Sequence, residues 1–214
     1  MHKIFNYESK VMQAMMDLGR MIAMNLLYLV CCIPIVTIGA AQAGLYSGIR
    51  HLQNKELDTP CLPEFIKGMK SGFKTVTLVH SVSLLPFAVI AGGFVVSWLL
   101  NQTGQKIPVW TSGACIMLFA AWHTVMVIFH ASFECRPKEL VANSFRFLLL
   151  FPLQGLLSGI LLWLPATLFV MFPMLFLQTL PLILFVYYSV AYEVILLLVK
   201  KPLKKIKDSM FPAA

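Results

Sequence analysis

Residues 147–192 read FLLLFPLQGLLSGILLWLPATLFVMFPMLFLQTLPLILFVYYSVAY and contain no Asp, Glu, Lys or Arg. A helix that crosses a bilayer needs about 20 mostly apolar residues, so this run has room for two crossings. Pro173, Gln178, Thr179 and Pro181 interrupt the apolar pattern, which places a break within residues 172–181. Residues 181–199 then form a helix of about 28 Å at 1.5 Å per residue, close to the thickness of a bilayer core of about 30 Å.

The pattern repeats towards the N-terminus. Residues 21–49, 75–105 and 107–133 also lack formal charges. Over all 214 residues, 59% belong to the hydrophobic set and 12% are charged, and the mean hydropathy is +0.80. Soluble domains carry about 25% charged residues, so a soluble enzyme, a secreted disulfide scaffold and a nucleic-acid-binding domain are all excluded. The sequence predicts an all-α integral membrane protein. It is read as a single membrane domain over 1–214, a helical bundle of five hydrophobic segments at 21–49, 75–101, 108–133, 147–171 and 181–199.

The 17 Lys and Arg against nine Asp and Glu fall between these segments and orient the chain by the positive-inside rule. If all five segments span, Lys3, Lys10, Arg20 and Lys106 lie opposite the other basic residues. If the first segment enters and returns on one side, only Lys106 is separated from the rest. Both arrangements leave the basic tail, residues 200–214, in the cytoplasm, and the cell membrane is the expected location. The second fits the charges better. It also suits Pro34, Thr37 and Gly39, which divide residues 21–49 into halves too short to span alone.

Residues 1–20 form an amphipathic interfacial helix, with Ile4, Tyr7, Val11, Met15 and Leu18 opposite Lys3, Lys10 and Asp17. Pro63 opens a second such stretch, with Phe65, Ile66, Met69 and Phe73 against Lys67, Lys70 and Lys74. Pro137 opens a third, with Leu140, Val141 and Phe145 against Lys138 and Arg146. Basic helices at a membrane border are common; they also suit docking of a cytosolic partner.

Residues 25–46, NLLYLVCCIPIVTIGAAQAGLY, have a structural logic of their own. Pro34 cannot continue a helix through its own nitrogen, and the Thr37 hydroxyl can satisfy backbone groups freed at the break. Ala40, Gly44 and Gly48 form a row of small residues that permits close helix packing; Gly155 with Gly159, and Ala88 with Gly92, form others. The stretch resembles the opening signature of the YesL-like family of bacterial multi-pass membrane proteins, a domain of unknown function. The resemblance is carried by Asn25, Pro34, Thr37, Gly39, Leu45 and Tyr46, then by Phe65 and Phe73-Lys74. The family pattern has Asn before that Phe-Lys, where this chain has Gly72. The resemblance implies a multi-pass membrane protein encoded near genes for carbohydrate uptake and breakdown, in a family for which no biochemical activity is established.

Glu193 is the one acid deep in an apolar stretch, about 10 Å from Lys200 along a helix. His80 lies at a similar depth past Lys74, so a His80–Glu193 pair, with Thr37 nearby, is the candidate intramembrane polar site. Such groups usually face a bundle interior or water. A structural pairing near the headgroups is the plainer alternative. His123 and His130 raise the question of haem, for which only His80 stands opposite and no c-type attachment motif exists. The five Cys lack metal-ligand spacing, and no catalytic motif stands out. No cofactor, metal or enzymatic activity is expected. Trp98, Trp110 and Trp163 read as interface anchors.

The sequence thus predicts an accessory or regulatory component associated with carbohydrate uptake. Its partners are the lipid bilayer and a sugar ABC permease, its ATPase or a sensor protein, with no role for nucleic acid. The alternative is a small secondary transporter acting as a homo-oligomer.

Overall fold

The structure is a computed structural model that describes residues 10–54, 60–102, 109–133 and 135–210. Lys3, Ile4 and Tyr7 of the N-terminal helix, Lys106, and the last four residues of the tail lie outside the described residues. Eight α-helices carry the fold: α1 (Lys10–Cys31), α2 (Ile38–Gln53), α3 (Cys61–Gln102), α4 (Val109–Ser132), α5 (Pro137–Leu150), α6 (Pro152–Met171), α7 (Pro173–Leu182) and α8 (Tyr188–Met210). A 3-10 turn at Ile35–Thr37 precedes α2, and a π-helical turn at Ile183–Tyr187 joins α7 to α8. Among the described residues there is no strand. Five stretches are long and apolar enough to cross a membrane: Val11–Cys31, Cys61–Asn101, Gly113–Ser132, Pro152–Met171 and Pro173–Asp208. The chain is an all-α membrane protein.

Several boundaries differ from the sequence reading. The amphipathic segment before residue 21 is not a separate element over its described part, because α1 runs from Lys10 to Cys31 without a break. Gly19 costs an interior helix only about 1 kcal/mol and has nothing close around it. Likewise the basic stretch opened by Pro63 is the first part of α3, a single helix of 42 residues. The segment expected over 147–171 is divided instead. Pro152 has no N–H to donate and disfavours helical backbone at Phe151, whose φ is −132° and ψ 60°. Residues 147–150 therefore close α5, and the spanning helix begins at Pro152. The same chemistry breaks the chain at Phe172 before Pro173, at the N-terminal edge of the expected 172–181 break. Pro86, Pro165, Pro181 and Pro202 stay inside helices.

The shortest of the early helices is the centre of the molecule. α2 is 16 residues long, about 24 Å, and Gly39 to Tyr46, Gly48 and Ile49 are buried in it. It packs antiparallel on α3, and small residues set the spacing. A Cβ on Gly44 would stand 2.8 Å from the Phe65 carbonyl oxygen, and one on Gly39 would stand 2.9 Å from a Val76 methyl. In the other direction, a Cβ on Gly68 would collide with Ser47. A Cβ on Gly72 would stand 3.2 Å from the Ala43 Cβ. A larger side chain there would press the two helices apart. A second close crossing joins α6 to α4, where a Cβ on Gly159 would stand 2.6 Å from the Ala121 Cα. The far half of α3 is different in kind: Leu85 and Val89 are exposed, and Gly92 and Gly93 have no neighbour within 4 Å. That surface is the one a lipid-facing helix requires.

Candidate functional site

The α1–α2 turn is built to close its own polar groups. α1 ends at Cys31 and Pro34 prevents a direct continuation. The Thr37 hydroxyl proton is shared between the carbonyls of Cys31 at 2.6 Å and Pro34 at 2.8 Å. The Thr37 N–H also donates to Pro34 O at 3.0 Å. One more carbonyl, that of Ile35, lies 3.2 Å from His80 Nε2. These contacts suit a non-helical turn at membrane depth, where unsatisfied backbone is costly. The turn lies level with His80, only six residues past Lys74, while α3 continues about 33 Å further to Gln102. Its tip is apolar and uncovered, with Ile33 78% exposed.

His80 does not meet Glu193. Its Nδ1 lies 2.7 Å from His123 Nε2 and its other nitrogen faces Ile35, so both are engaged. The direct contact leaves no space for an iron between the two rings. The His123 ring also stands edge-on to Trp163 at 6.0 Å, and the Trp163 ring lies tilted against Phe87 at 5.7 Å. Trp163 is thus packed in the bundle rather than set as an interface anchor. Among the described residues, His123 Nδ1, Trp163 Nε1, Thr77 Oγ1, Gln42 Oε1 and the Tyr192 hydroxyl are buried without a hydrogen-bond partner. No group of three His, Cys, Asp or Glu that could hold a metal ion occurs among the described residues.

Asn25 has a defined task that the sequence signature did not reveal. A π-turn shifts the helical hydrogen-bond register and frees carbonyls. The fully buried Asn25 amide donates to Ile183 O at 3.1 Å and Leu184 O at 2.7 Å. Its carbonyl oxygen accepts from the Ser189 N–H at 3.2 Å, while the Ser189 hydroxyl donates to Met21 O at 2.8 Å. Ser189 therefore serves α1. The Tyr187 hydroxyl donates to Leu161 O. Asn25 thereby ties the α1–α2 hairpin to the last spanning helix.

Glu193 belongs to another place. It lines a cavity of about 810 Å³ at the basic end of the bundle, between α1, α2, α8 and the end of α4. Arg50, Lys200, Lys204 and Lys207 supply its cations, Asp17 and Glu193 its carboxylates. Gln53 fixes one edge by donating to Glu193 O at 3.1 Å. Tyr46 sets the depth, with its hydroxyl 3.0 Å from Ser132 Oγ and its ring edge-on to buried Tyr192. Among the described residues the ion pairs are Arg20–Asp17 and Lys67–Glu64, so no lining cation is paired. Positions 193, 200, 204 and 207 share a helical face, a spacing that could have pointed to this cavity from the sequence.

The remaining signature residues divide between core and surface. Phe65 and Leu45 are fully buried, whereas Phe73 is 46% exposed and Lys74 is exposed. Ala40 is fully buried on α2. Gly48 packs on Met24, and Gly155 faces Leu148.

Fold and site together define a helical membrane protein with a charged cavity at one end. Residues 21–98 match a family described as "Protein of unknown function, DUF624", an uncharacterised domain family. The match takes in the second half of α1, all of α2 and most of α3, including the Thr37 turn and Arg50, but not the lysines of α8. No curated protein and no solved structure matches the chain.

Proposed function

We propose that this chain is an accessory or regulatory component of carbohydrate uptake in the cell membrane, with the cavity end and the C-terminus in the cytoplasm. The observation that carries this reading is the one-sided cavity. It opens among Arg50 and the α8 lysines, and the core around its Tyr46 floor is filled by fully buried Tyr192, Met126 and Ile195. A packed floor favours binding at one face over alternating access through the bundle. The orientation rests on the excess of Lys and Arg at that end. The sugar context rests on the resemblance to the YesL-like family. Exposed Lys67, Lys70 and Lys74 beside half-exposed Ile66 and Phe73 offer a basic-apolar surface to a permease, its ATPase or a sensor protein.

The test is a mild-detergent pull-down of tagged protein from its native host, with and without polysaccharide-derived sugars, read by quantitative mass spectrometry. Enrichment of a sugar permease, its ATPase or a sensor, lost in Lys67→Glu/Lys70→Glu, supports the proposal. Recovery of the chain alone as a homo-oligomer contradicts it and favours a small transporter.

A further inference from the structure

We propose that the cavity at the basic end is a binding site for a phosphate ester that also carries hydroxyl groups. Four cations from two helices face one void. Arg50 comes from the end of α2, and Lys200, Lys204 and Lys207 come from successive turns of α8. The carboxylates on its wall are Asp17, already paired with Arg20 at 3.2 Å, and Glu193. The lining therefore keeps uncompensated positive charge around a volume of about 810 Å³, ample for a small organic phosphate.

The placement is selective. Lys201 and Lys205 are exposed on the same helix but do not line the cavity. A tail serving only the positive-inside bias has no need to gather an arginine from another helix opposite the other three. Guanidinium and ammonium groups converging from two sides suit an anion with several acceptor oxygens. Glu193 lies seven residues deeper than Lys200 on the same face, and Asn54 stands at the end of α2. The Glu193 carboxylate at that depth and the exposed Asn54 amide at the rim serve as partners for hydroxyl groups. The site lies at the end of the spanning helices, where both a soluble phosphate ester and the headgroup of an anionic phospholipid can enter. The chemistry is shared and the source is a matter for experiment. The inference does not depend on the accessory role: a phosphate site would stand even if no uptake partner were found.

The test uses the full chain in nanodiscs. One set contains phosphatidylcholine alone and is titrated with glycerol phosphate at constant ionic strength. A second contains phosphatidylcholine with phosphatidylglycerol and receives no soluble phosphate. Hydrogen exchange of the α2 end and of α8 is the readout. Slowed exchange on adding glycerol phosphate assigns a soluble ester, and slowed exchange in the second set alone assigns a lipid headgroup. Arg50→Gln and Lys204→Gln are each expected to weaken the effect about tenfold, as for loss of one charge-assisted hydrogen bond. Lys204→Arg should retain binding and guards against misfolding as the cause, and Lys205→Gln should leave it unchanged. No protection in either set overturns the proposal, as does a Lys205→Gln variant impaired as much as Lys204→Gln.

Discussion

The two ends of α2 treat polar groups in opposite ways. At its N-terminal end Thr37 and His80 occupy the carbonyls of Cys31, Pro34 and Ile35, and Asn25 does the same for the neighbouring π-turn. At its C-terminal end Arg50 faces an open cavity with three lysines, and none of these four cations has an ion pair among the described residues. One 16-residue helix thus joins a closed polar site to an open one. Polar groups that close on one another hold the fold. Charges gathered around a void without partners cost stability by mutual repulsion and are kept for something that enters.

The comparison breaks first where α2 itself is displaced. Gly44→Leu should have the largest effect, because its Cβ meets the backbone carbonyl of Phe65 at 2.8 Å and backbone cannot rotate away. Overpacking costs about 1–3 kcal/mol where side chains can yield, and more is expected here. The check is loss of a monodisperse peak in size-exclusion chromatography. Asn25→Ala comes next. It strands two carbonyls and one N–H in a buried position, at about 1–3 kcal/mol for an unsatisfied group. A thermal midpoint several degrees lower in detergent is the expected outcome. Thr37→Val removes a single shared proton at the partly exposed turn and should cost about 1 kcal/mol, the scale of polar contacts measured in membrane bundles. A loss as large as that of Asn25→Ala would show that the turn depends on this hydroxyl more than the shared geometry implies. Gly92→Ala, with nothing within 4 Å, should not lower the midpoint and should raise it slightly, by up to about 1 kcal/mol of helix propensity.

Much of this was legible in the sequence, and the reasons differ by element. The uncharged run over 147–192 required helices in a membrane, and Pro34 and Pro173 mark breaks because neither can donate an N–H to continue a helix. The continuity of α1 and α3 through their amphipathic beginnings was not legible: polarity changes along each helix without any residue that stops it. The polar site was only half visible. Depth along a helix suggested Glu193 as a partner for His80, but depth does not fix the face a residue turns to its neighbours. The bundle turns His80 towards His123 and Ile35 and leaves Glu193 with the α8 lysines. Asn25 could not be assigned a role because its partners are the carbonyls of a π-turn 158 and 159 residues away, and carbonyls carry no side-chain signature. Arg50 joins the α8 lysines only through the tertiary packing of α2 beside α8.

The central claim is that the closed end holds the fold and the open end serves a ligand. Thermal unfolding of Asn25→Ala and Lys204→Gln, measured side by side with the parent chain in one detergent, tests it most directly. The expected result is a midpoint lowered by several degrees for Asn25→Ala and unchanged or slightly raised for Lys204→Gln, since removing one of several like charges relieves repulsion. A Lys204→Gln variant destabilised as much as Asn25→Ala would mean that the lysine is part of the structural frame, and the distinction between the two ends would fall.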